Sequence, residues 1–275
     1  MTITQALAAA TALGLDRLDA QWLLLHALAR PHTERAWLLA HDGDALDDAV
    51  QQKFLALAMR RVGGEPLAYI VGSKEFFGLT LQVDARVLVP RPDTETLVLW
   101  ALDCVADMPR PALLDLGTGS GAIALALKSQ RSDAAVTAVD ASADALVVAQ
   151  ANAARLALPV RFVHGNWLAG VAGRFDLIAS NPPYVAHGDP HLAALRHEPL
   201  QALTAGADGL DDLRTIVQQA PERLLPGGWL LLEHGYDQAA AVQALLGAAG
   251  FVSVQSRNDL AGIARCSGGQ TPTMK

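Results

Sequence analysis

The tetrapeptide Asn181-Pro182-Pro183-Tyr184 combines residue types suited to gripping a flat, hydrogen-bearing group. Proline has no backbone N–H, fixes φ near about −65°, and pushes the residue before it toward extended geometry, so two in succession make a stiff loop. The acceptors beside them, the Asn181 side-chain oxygen and the Pro182 carbonyl, meet no N–H from Pro183 and are free to take up an incoming NH₂ group. That arrangement fits methylation of a nitrogen whose lone pair is delocalised into a carbonyl or a ring. Accepting hydrogen bonds from both N–H groups favours a pyramidal nitrogen and aims its lone pair at an electrophilic methyl. Tyr184 adds an aromatic face that can stack on a planar substrate near a sulfonium cation, a contact of about 0.5–2 kcal/mol. The alternative is a rigid Pro-Pro surface turn without chemistry.

A second group of residues points to a nucleotide-like ligand. Leu113-Leu114-Asp115-Leu116 runs into Gly117-Thr118-Gly119-Ser120-Gly121 and then a helical stretch from Ile123. Glycines suit such a turn because it uses positive φ and lets a ligand approach the backbone more closely than a Cβ permits. Asp140 ends the next apolar run 19 residues after Gly121, against the roughly 20 expected of a carboxylate that bonds ribose hydroxyls. With Ala122 the turn also satisfies a dinucleotide pattern, so an NAD-type ligand and a tight connection with no ligand stay open. Asp115 could face the ligand or satisfy turn amides.

The elements that would position these groups alternate between strand and helix. Strand candidates are 113–116, 135–139, 160–163, 175–180, 229–233 and 251–255, with helical stretches between most of them. Alternation of this kind implies an open, mostly parallel α/β sheet, and Asn181 follows its fourth strand, at the carboxyl end where such sheets bind ligands.

Residues 1–75 read instead as short helices rich in Ala, Leu, Gln and Arg. Asp19 is expected to cap 20–29, Thr33 the following helix, and a third helix spans 47–62. Leu79, Leu81 and Val83, then 87–89, predict a hairpin turning near Asp84-Ala85, and Asp93 or Thr94 is placed to cap a helix over 95–105.

Composition narrows the classes further. The 275 residues are 51% hydrophobic and 18% charged, which excludes a disordered chain. With 21 Lys+Arg against 28 Asp+Glu the net charge is −7, the reverse of the footprint expected of a protein that binds nucleic acid through phosphates. Cys104 and Cys266 lie far apart with no His/Cys cluster, so neither a disulfide framework nor a metal site is expected. The Ala- and Leu-rich start lacks a basic region and is interrupted by Asp16, Arg17 and Asp19, so neither a signal peptide nor a membrane span is expected, and a cytoplasmic enzyme is.

The combination of 117–121, Asp140 and Asn181-Pro182-Pro183-Tyr184 resembles class I S-adenosylmethionine-dependent methyltransferases acting on amino groups of planar systems. Within that class, 64–70 (Gly-Glu-Pro-Leu-Ala-Tyr-Ile), Glu75-Phe76 and 89–95 (Val-Pro-Arg-Pro-Asp-Thr-Glu) resemble the peptide chain release factor N5-glutamine methyltransferases, the HemK/PrmC family. Glu198-Pro199 and 232–235 (Leu-Glu-His-Gly) extend the likeness over nearly the whole chain. It implies a Rossmann-like methyltransferase sheet over 93–275, a helical substrate-recognition domain over 1–75 and a β-hairpin linker over 76–92.

The implied substrate is the glutamine of the Gly-Gly-Gln loop in bacterial class 1 release factors, and the implied cofactor is S-adenosyl-L-methionine, with neither direct nucleic-acid binding nor membrane attachment. Cofactor binding is implied for Gly117, Thr118, Gly119, Ser120, Gly121, Asp140 (ribose), Asn166 and Trp167 (adenine edge and face) and Asn181. Asn181, Pro182, Pro183 and Tyr184 would hold the glutamine amide, with Asn181, Pro182 and Tyr184 as the catalytic set. Many relatives carry an acidic residue where Asn166 stands, so an amide oxygen would read the adenine amino group here.

The remaining candidates have bland alternatives. Arg91, Asp93 and Glu95 could line the substrate entrance or serve as surface and capping charges, and His234 reads as a hydrogen-bonded strand-end histidine rather than a base. His187, His191 and His197 sit in a loop without a companion ligand set. Gly268-Gly269-Gln270 repeats the tripeptide of the implied substrate; a terminal segment of this composition is expected to be disordered, and self-methylation is the alternative. Rival functions are a nucleic-acid amino methyltransferase, which would bind with steep inverse salt dependence, and a noncatalytic release-factor-binding or NAD-binding module.

Overall fold

In the computed structural model, which describes residues 1–273, the chain divides into two units, Met1–Ser73 and Lys74 onward, and buried apolar clusters fill both. The first unit contains α1 (Ile3–Ala12), α2 (Arg17–Ala27), α3 (Arg35–Ala40), α4 (Asp48–Val62) and α5 (Leu67–Val71). A capping box of Thr2 and Gln5 starts α1, and Asp47 caps α4 by accepting from the Val50 amide. The cap of α2 is Asp16, not Asp19; Asp19 instead accepts from Arg61 Nε at 2.7 Å. Thr33 caps nothing either, since α3 begins after Glu34 without a side-chain cap. Leu23, Leu24, Leu25 and Phe54 fill this unit's core.

The second unit opens with a two-stranded hairpin, β1 (Ser73–Phe76) and β2 (Leu79–Gln82). Its turn is Phe77-Gly78, both at positive φ (51° and 76°), which corrects the turn expected at Asp84-Ala85. Residues 83–91 form no strand; Val83, Val87 and Val89 are buried from an irregular segment. Periodic apolar residues therefore marked burial here, not pairing. Asn152 holds the hairpin in place by accepting from the Gln82 amide and donating to its carbonyl, at 2.7 and 2.9 Å.

A short 3₁₀ turn, Pro92–Thr94, leads into α6 (Glu95–Cys104), after which the alternation expected from the sequence follows. Its elements are β3 (Ala112–Leu116), α7 (Ala122–Gln130), β4 (Ala135–Asp140), α8 (Ala143–Leu156), β5 (Arg161–His164) and β6 (Phe175–Ser180). The remainder is α9 (Asp211–Gln219), β7 (Leu224–Glu233), α10 (Ala239–Ala248), β8 (Val252–Asn258) and β9 (Ala264–Gln270). The strands form one Rossmann-like sheet in the order β5-β4-β3-β6-β7-β9-β8, parallel as far as β7, with β9 antiparallel to both neighbours. Period-2 alternation divides each strand between two cores: Leu113 packs with Trp100 and α7 on one face, Leu114 and Leu116 with α9 and α10 on the other.

The strand β9 corrects the expectation of a disordered tail. Gly268 pairs with Leu231, and a Cβ there would lie 2.5 Å from Leu231 Cδ2 and 3.1 Å from Trp100 Cη2. Glycine is needed because neighbouring side chains already occupy that space. Gln270 donates to the Gly227 carbonyl, so the Gly-Gly-Gln tripeptide is built into the sheet, which argues against self-methylation.

Candidate active site

The strand order reverses between β3 and β6, so their carboxyl ends diverge and leave the crevice that such sheets use for ligands. The glycine turn follows β3. Gly117, Gly119 and Gly121 have φ of 70°, 54° and 86°, the left-handed region that side chains rarely adopt. Gly117 and Thr118 amides both donate to the Val139 carbonyl, at 2.9 and 3.0 Å, which locks the turn to β4.

A cleft of about 500 Å³ opens above this turn. Gly117, Gly119, Asp140, Asn166, Trp167 and Asn181 line it together, as does Pro183. Thr118, Ser120 and Gly121 do not: the Thr118 hydroxyl donates to Asp115 Oδ2 at 2.6 Å, the Ser120 carbonyl accepts from Asn152, and a Cβ at Gly121 would meet Leu125 Cδ1 at 3.0 Å. Those three shape the turn from behind. The irregular segment Arg86–Leu88, Pro199, Gln201 and Asp212 are among the other residues of the wall.

The cleft's polar groups are arranged for a nucleoside. Asp140 accepts from the Gly119 and Ser142 amides, each at 2.8 Å, and burial still raises its pKa from the usual aspartate value. Trp167 holds φ at 51°, unusual for a bulky residue; its indole N–H donates to Asp212 Oδ1 at 3.1 Å and its ring lies 3.3 Å from the Cβ position of Gly117. Asn166 is exposed beside it. Burial also raises the pKa of Asp212. Sequence reasoning missed Asp212, which reads as one more acidic charge in the first turn of a helix.

Asp115 resolves toward the turn. Its Oδ2 accepts from Thr118 and from the Ala124 amide at 3.1 Å, while Oδ1 is buried without a partner. Burial pushes its pKa up to about 7. The open face of Gly119, where a Cβ would meet nothing within 4 Å, the Asp140 carboxylate and the Trp167 ring together fit a nucleoside bearing an amino-acid tail.

The acceptor side lies after β6. Asn181 Nδ2 donates to Thr94 Oγ1 at 3.2 Å, which leaves its Oδ1 for the cleft. Pro182 is buried. Tyr184 packs into the α9/α10-side core with its hydroxyl 3.4 Å from Glu233 Oε1 and its carbonyl bonded to Gln238, and it is not part of the cleft wall. Burial and the neighbouring Glu233 push the Tyr184 pKa up.

Charged residues brace this region. Arg91 pairs with buried Glu198 at 2.5 Å, and Glu198 Oε2 accepts from the Val89 amide at 3.1 Å. Asp93 lies 3.4 Å from Arg265, and Glu95 accepts from the Phe77 amide at 3.0 Å. His234 is buried, its ring bonded to the Gly235 carbonyl and, at 2.8 Å, to the Ser267 hydroxyl. Among the described residues no three His, Cys, Asp or Glu side chains gather as a metal site would need.

A family model of the methyltransferase small domain matches residues 92–249, and one of the PrmC N-terminal domain matches residues 2–72. The release factor glutamine methyltransferase of Burkholderia pseudomallei is 50% identical over 268 residues, covering 94% of this chain and 93% of its own length. That of Bordetella pertussis is 51% identical over 260 residues, covering 93% and 95%. Among solved structures, the T. thermophilus 16S rRNA N2 G1207 methyltransferase in complex with AdoMet and guanosine superposes with a TM-score of 0.55 at 22% identity, over 72% of this chain and 49% of that one, a likeness of fold alone.

Proposed function

The chain belongs to the release factor glutamine methyltransferase family, and from that membership and the geometry of the cleft we propose that it methylates the side-chain amide nitrogen of the glutamine in the Gly-Gly-Gln loop of class 1 peptide chain release factors. The observation that carries the reading is the Asn181 carboxamide, whose N–H is committed to Thr94 while its oxygen shares a cleft with Gly117, Gly119 and Asp140. S-adenosylmethionine, when bound, supplies a methyl group activated on a sulfonium.

Each residue has a separate task. Gly117 and Gly119 cradle the methionine portion, Asp140 takes the ribose hydroxyls, and Asn166 and Trp167 meet the adenine edge and face. Asn181 Oδ1 and the Pro182 carbonyl accept from the two amide N–H groups of the glutamine. A carboxamide nitrogen is a poor nucleophile because its lone pair is shared with the carbonyl, so holding it pyramidal and in line is the main contribution to the rate. As the new N–C bond forms, one N–H proton passes to solvent. The stiffness of 181–183 keeps the acceptors in place without reorganisation.

The helical first unit serves as the substrate-recognition domain, supported by its match to the PrmC N-terminal domain. A net charge of −7 supports a protein substrate over nucleic acid. No helix among the described residues is long and apolar enough to cross a membrane; a release-factor substrate, which works in translation, is what supports a cytoplasmic site of action. The test is incubation with labelled S-adenosylmethionine and purified release factor, followed by tandem mass spectrometry. One methyl on the loop glutamine is expected; label on another residue, or none, overturns the reading.

A further inference from the structure

Asp212, in the first turn of α9, stands on the wall of the cleft, and no step of the transfer described above uses it. Its Oδ1 accepts from the Trp167 indole N–H at 3.1 Å, while its Oδ2 accepts from no group among the described residues. Arg214, on the same helix, is committed elsewhere: its guanidinium pairs with Asp208 and Asp211, at 2.5 and 3.0 Å. Asp212 is half-buried, and a carboxylate that gives up part of its water shell calls for a donor in exchange.

The helix also fixes what lies beside this carboxylate. Gln219, about two turns further along the same face of α9, accepts from the Leu168 amide at 3.2 Å. The loop that bears Trp167 is thus held to α9 at the indole and at the backbone, while Leu213, Ile216 and Val217 seat the helix against the sheet. Within that grip Trp167 keeps its left-handed φ of 51°, its ring lies against Gly117, and Gly165 and Asn166 before it line the cleft. Asp212 therefore sits at the edge of the indole whose face the adenine is to meet.

The chemistry of that edge is selective. Adenine presents one strong donor there, its exocyclic amino group, and a carboxylate has acceptors only. Asn166 meets the base from an exposed position, and a carboxamide can turn either its donor or its acceptor end inward, so it distinguishes little. The indole N–H and an adenine amino group together make two donors, and the two oxygens of one carboxylate can serve both. An amide at position 212 would have a single oxygen for the pair.

We infer that Asp212 is the residue that makes the cleft specific for adenine, with Oδ1 holding the Trp167 platform and Oδ2 accepting from the exocyclic amino group of the base. The inference rests on the reading of the cleft as the S-adenosylmethionine site with the base beside Trp167. Burial raises the pKa of Asp212 from the usual aspartate value, in keeping with a carboxyl partly withdrawn from water.

The test measures, by calorimetry on the full chain, the binding of S-adenosylhomocysteine and of its 6-deamino analogue, in which hydrogen replaces the amino group. Wild type is expected to favour the amino form by about 10- to 100-fold, the worth of a hydrogen bond to a charged acceptor. In Asp212→Asn one oxygen must serve both donors, so the preference is expected to fall to within about 3-fold, nearly all of it as lost affinity for the amino form. Asn166→Ala is expected to keep the wild-type preference. A wild type that binds the two ligands equally, a preference that persists in Asp212→Asn, an equal loss of both ligands there, or a preference that vanishes in Asn166→Ala overturns the inference. If Asp212→Asn does not fold, a structure of the wild type with S-adenosylhomocysteine decides alone: Oδ2 within about 3.2 Å of the amino nitrogen is expected, and a separation beyond hydrogen-bond range overturns it. A wild type that binds neither ligand defeats the functional reading instead, so the two failures are distinguishable.

Discussion

Replacing Asn181 by alanine should separate holding the acceptor from holding the donor. The carboxamide bonds to Thr94 and not to any residue of the glycine turn, and Asn181 lines the cleft. Removing one oriented hydrogen-bond partner of the reacting group costs about 10²- to 10³-fold in kcat, or about 2.7–4 kcal/mol of transition-state stabilisation. Donor affinity should change by less than about 3-fold, since Gly117, Gly119 and Asp140 remain in place. The change also leaves the buried Thr94 hydroxyl without its donor, a stability loss of about 1 kcal/mol, too small to unfold the chain. Single-turnover methylation of purified release factor gives the chemical step, and calorimetry with S-adenosylmethionine gives the affinity. Turnover within about 5-fold of wild type would refute the reasoning, and so would a loss of donor affinity as large as the loss of rate.

Three further outcomes follow from particular contacts. Asp140→Ala should weaken S-adenosylmethionine by about 10- to 100-fold, the worth of a charged hydrogen-bond acceptor, with kcat at saturation nearly unchanged; calorimetry showing full affinity would remove Asp140 from the ribose site. Gly268→Ala places a methyl 2.5 Å from Leu231 Cδ2 and 2.7 Å from the Leu230 carbonyl, so overpacking should cost about 1–3 kcal/mol and lower the melting temperature by several degrees; an unchanged melt would contradict the central position of β9. Burial pushes the pKa values of Asp115 and Glu233 up to about 7, above the ordinary carboxylate range, so the folded state holds protons that the unfolded chain releases. Their stabilising contribution is complete below the unfolded pKa values near about 4 and disappears as pH rises through about 7. Glu233→Gln should therefore gain on wild type in denaturant titrations by up to about 3 kcal/mol between about pH 5 and pH 8, and a gap constant with pH would contradict the raised pKa.

The parallel strands were legible because a strand buried on both faces must be apolar along its length, and 113–116, 135–139 and 175–180 lie within β3, β4 and β6. The antiparallel insertion was not. In β9 the sequence Ala-Arg-Cys-Ser-Gly-Gly-Gln carries little bulk of its own because Trp100 and Leu231 supply it, and no local pattern reports a side chain borrowed from a helix and a neighbouring strand. The hairpin was misplaced for a related reason: Val83, Val87 and Val89 are as buried as strand residues, yet they pack from an irregular segment. In the cleft, residues adjacent to strand ends were found, since Gly117, Asp140 and Asn181 each follow or close a strand. Asp212 was not assigned a role, and Thr94 was read only as a helix cap, although its side chain makes no cap bond and accepts instead from Asn181; both matter through contacts between segments far apart in the chain.

The two halves of the site share a construction that the sequence does not display. Beneath the glycine turn, Asp115 is buried with one orphaned oxygen and receives the Thr118 hydroxyl; at the end of β7, Glu233 is buried with one orphaned oxygen and receives the Tyr184 hydroxyl at 3.4 Å. In each case the carboxyl is kept off the cleft wall. Such a carboxylate acts by direction more than by charge, because it fixes where a hydroxyl points. This distinction matters for a pocket that must hold a neutral amide against a cationic donor. A carboxylate on the wall would pair with the sulfonium and compete for the position the amide must occupy, whereas the Asn181 oxygen can accept from the amide without forming an ion pair. The same logic gives asparagine an advantage over aspartate at position 181. Aspartate could still accept from the substrate, but it could no longer donate to Thr94, and its charge would pair with the sulfonium.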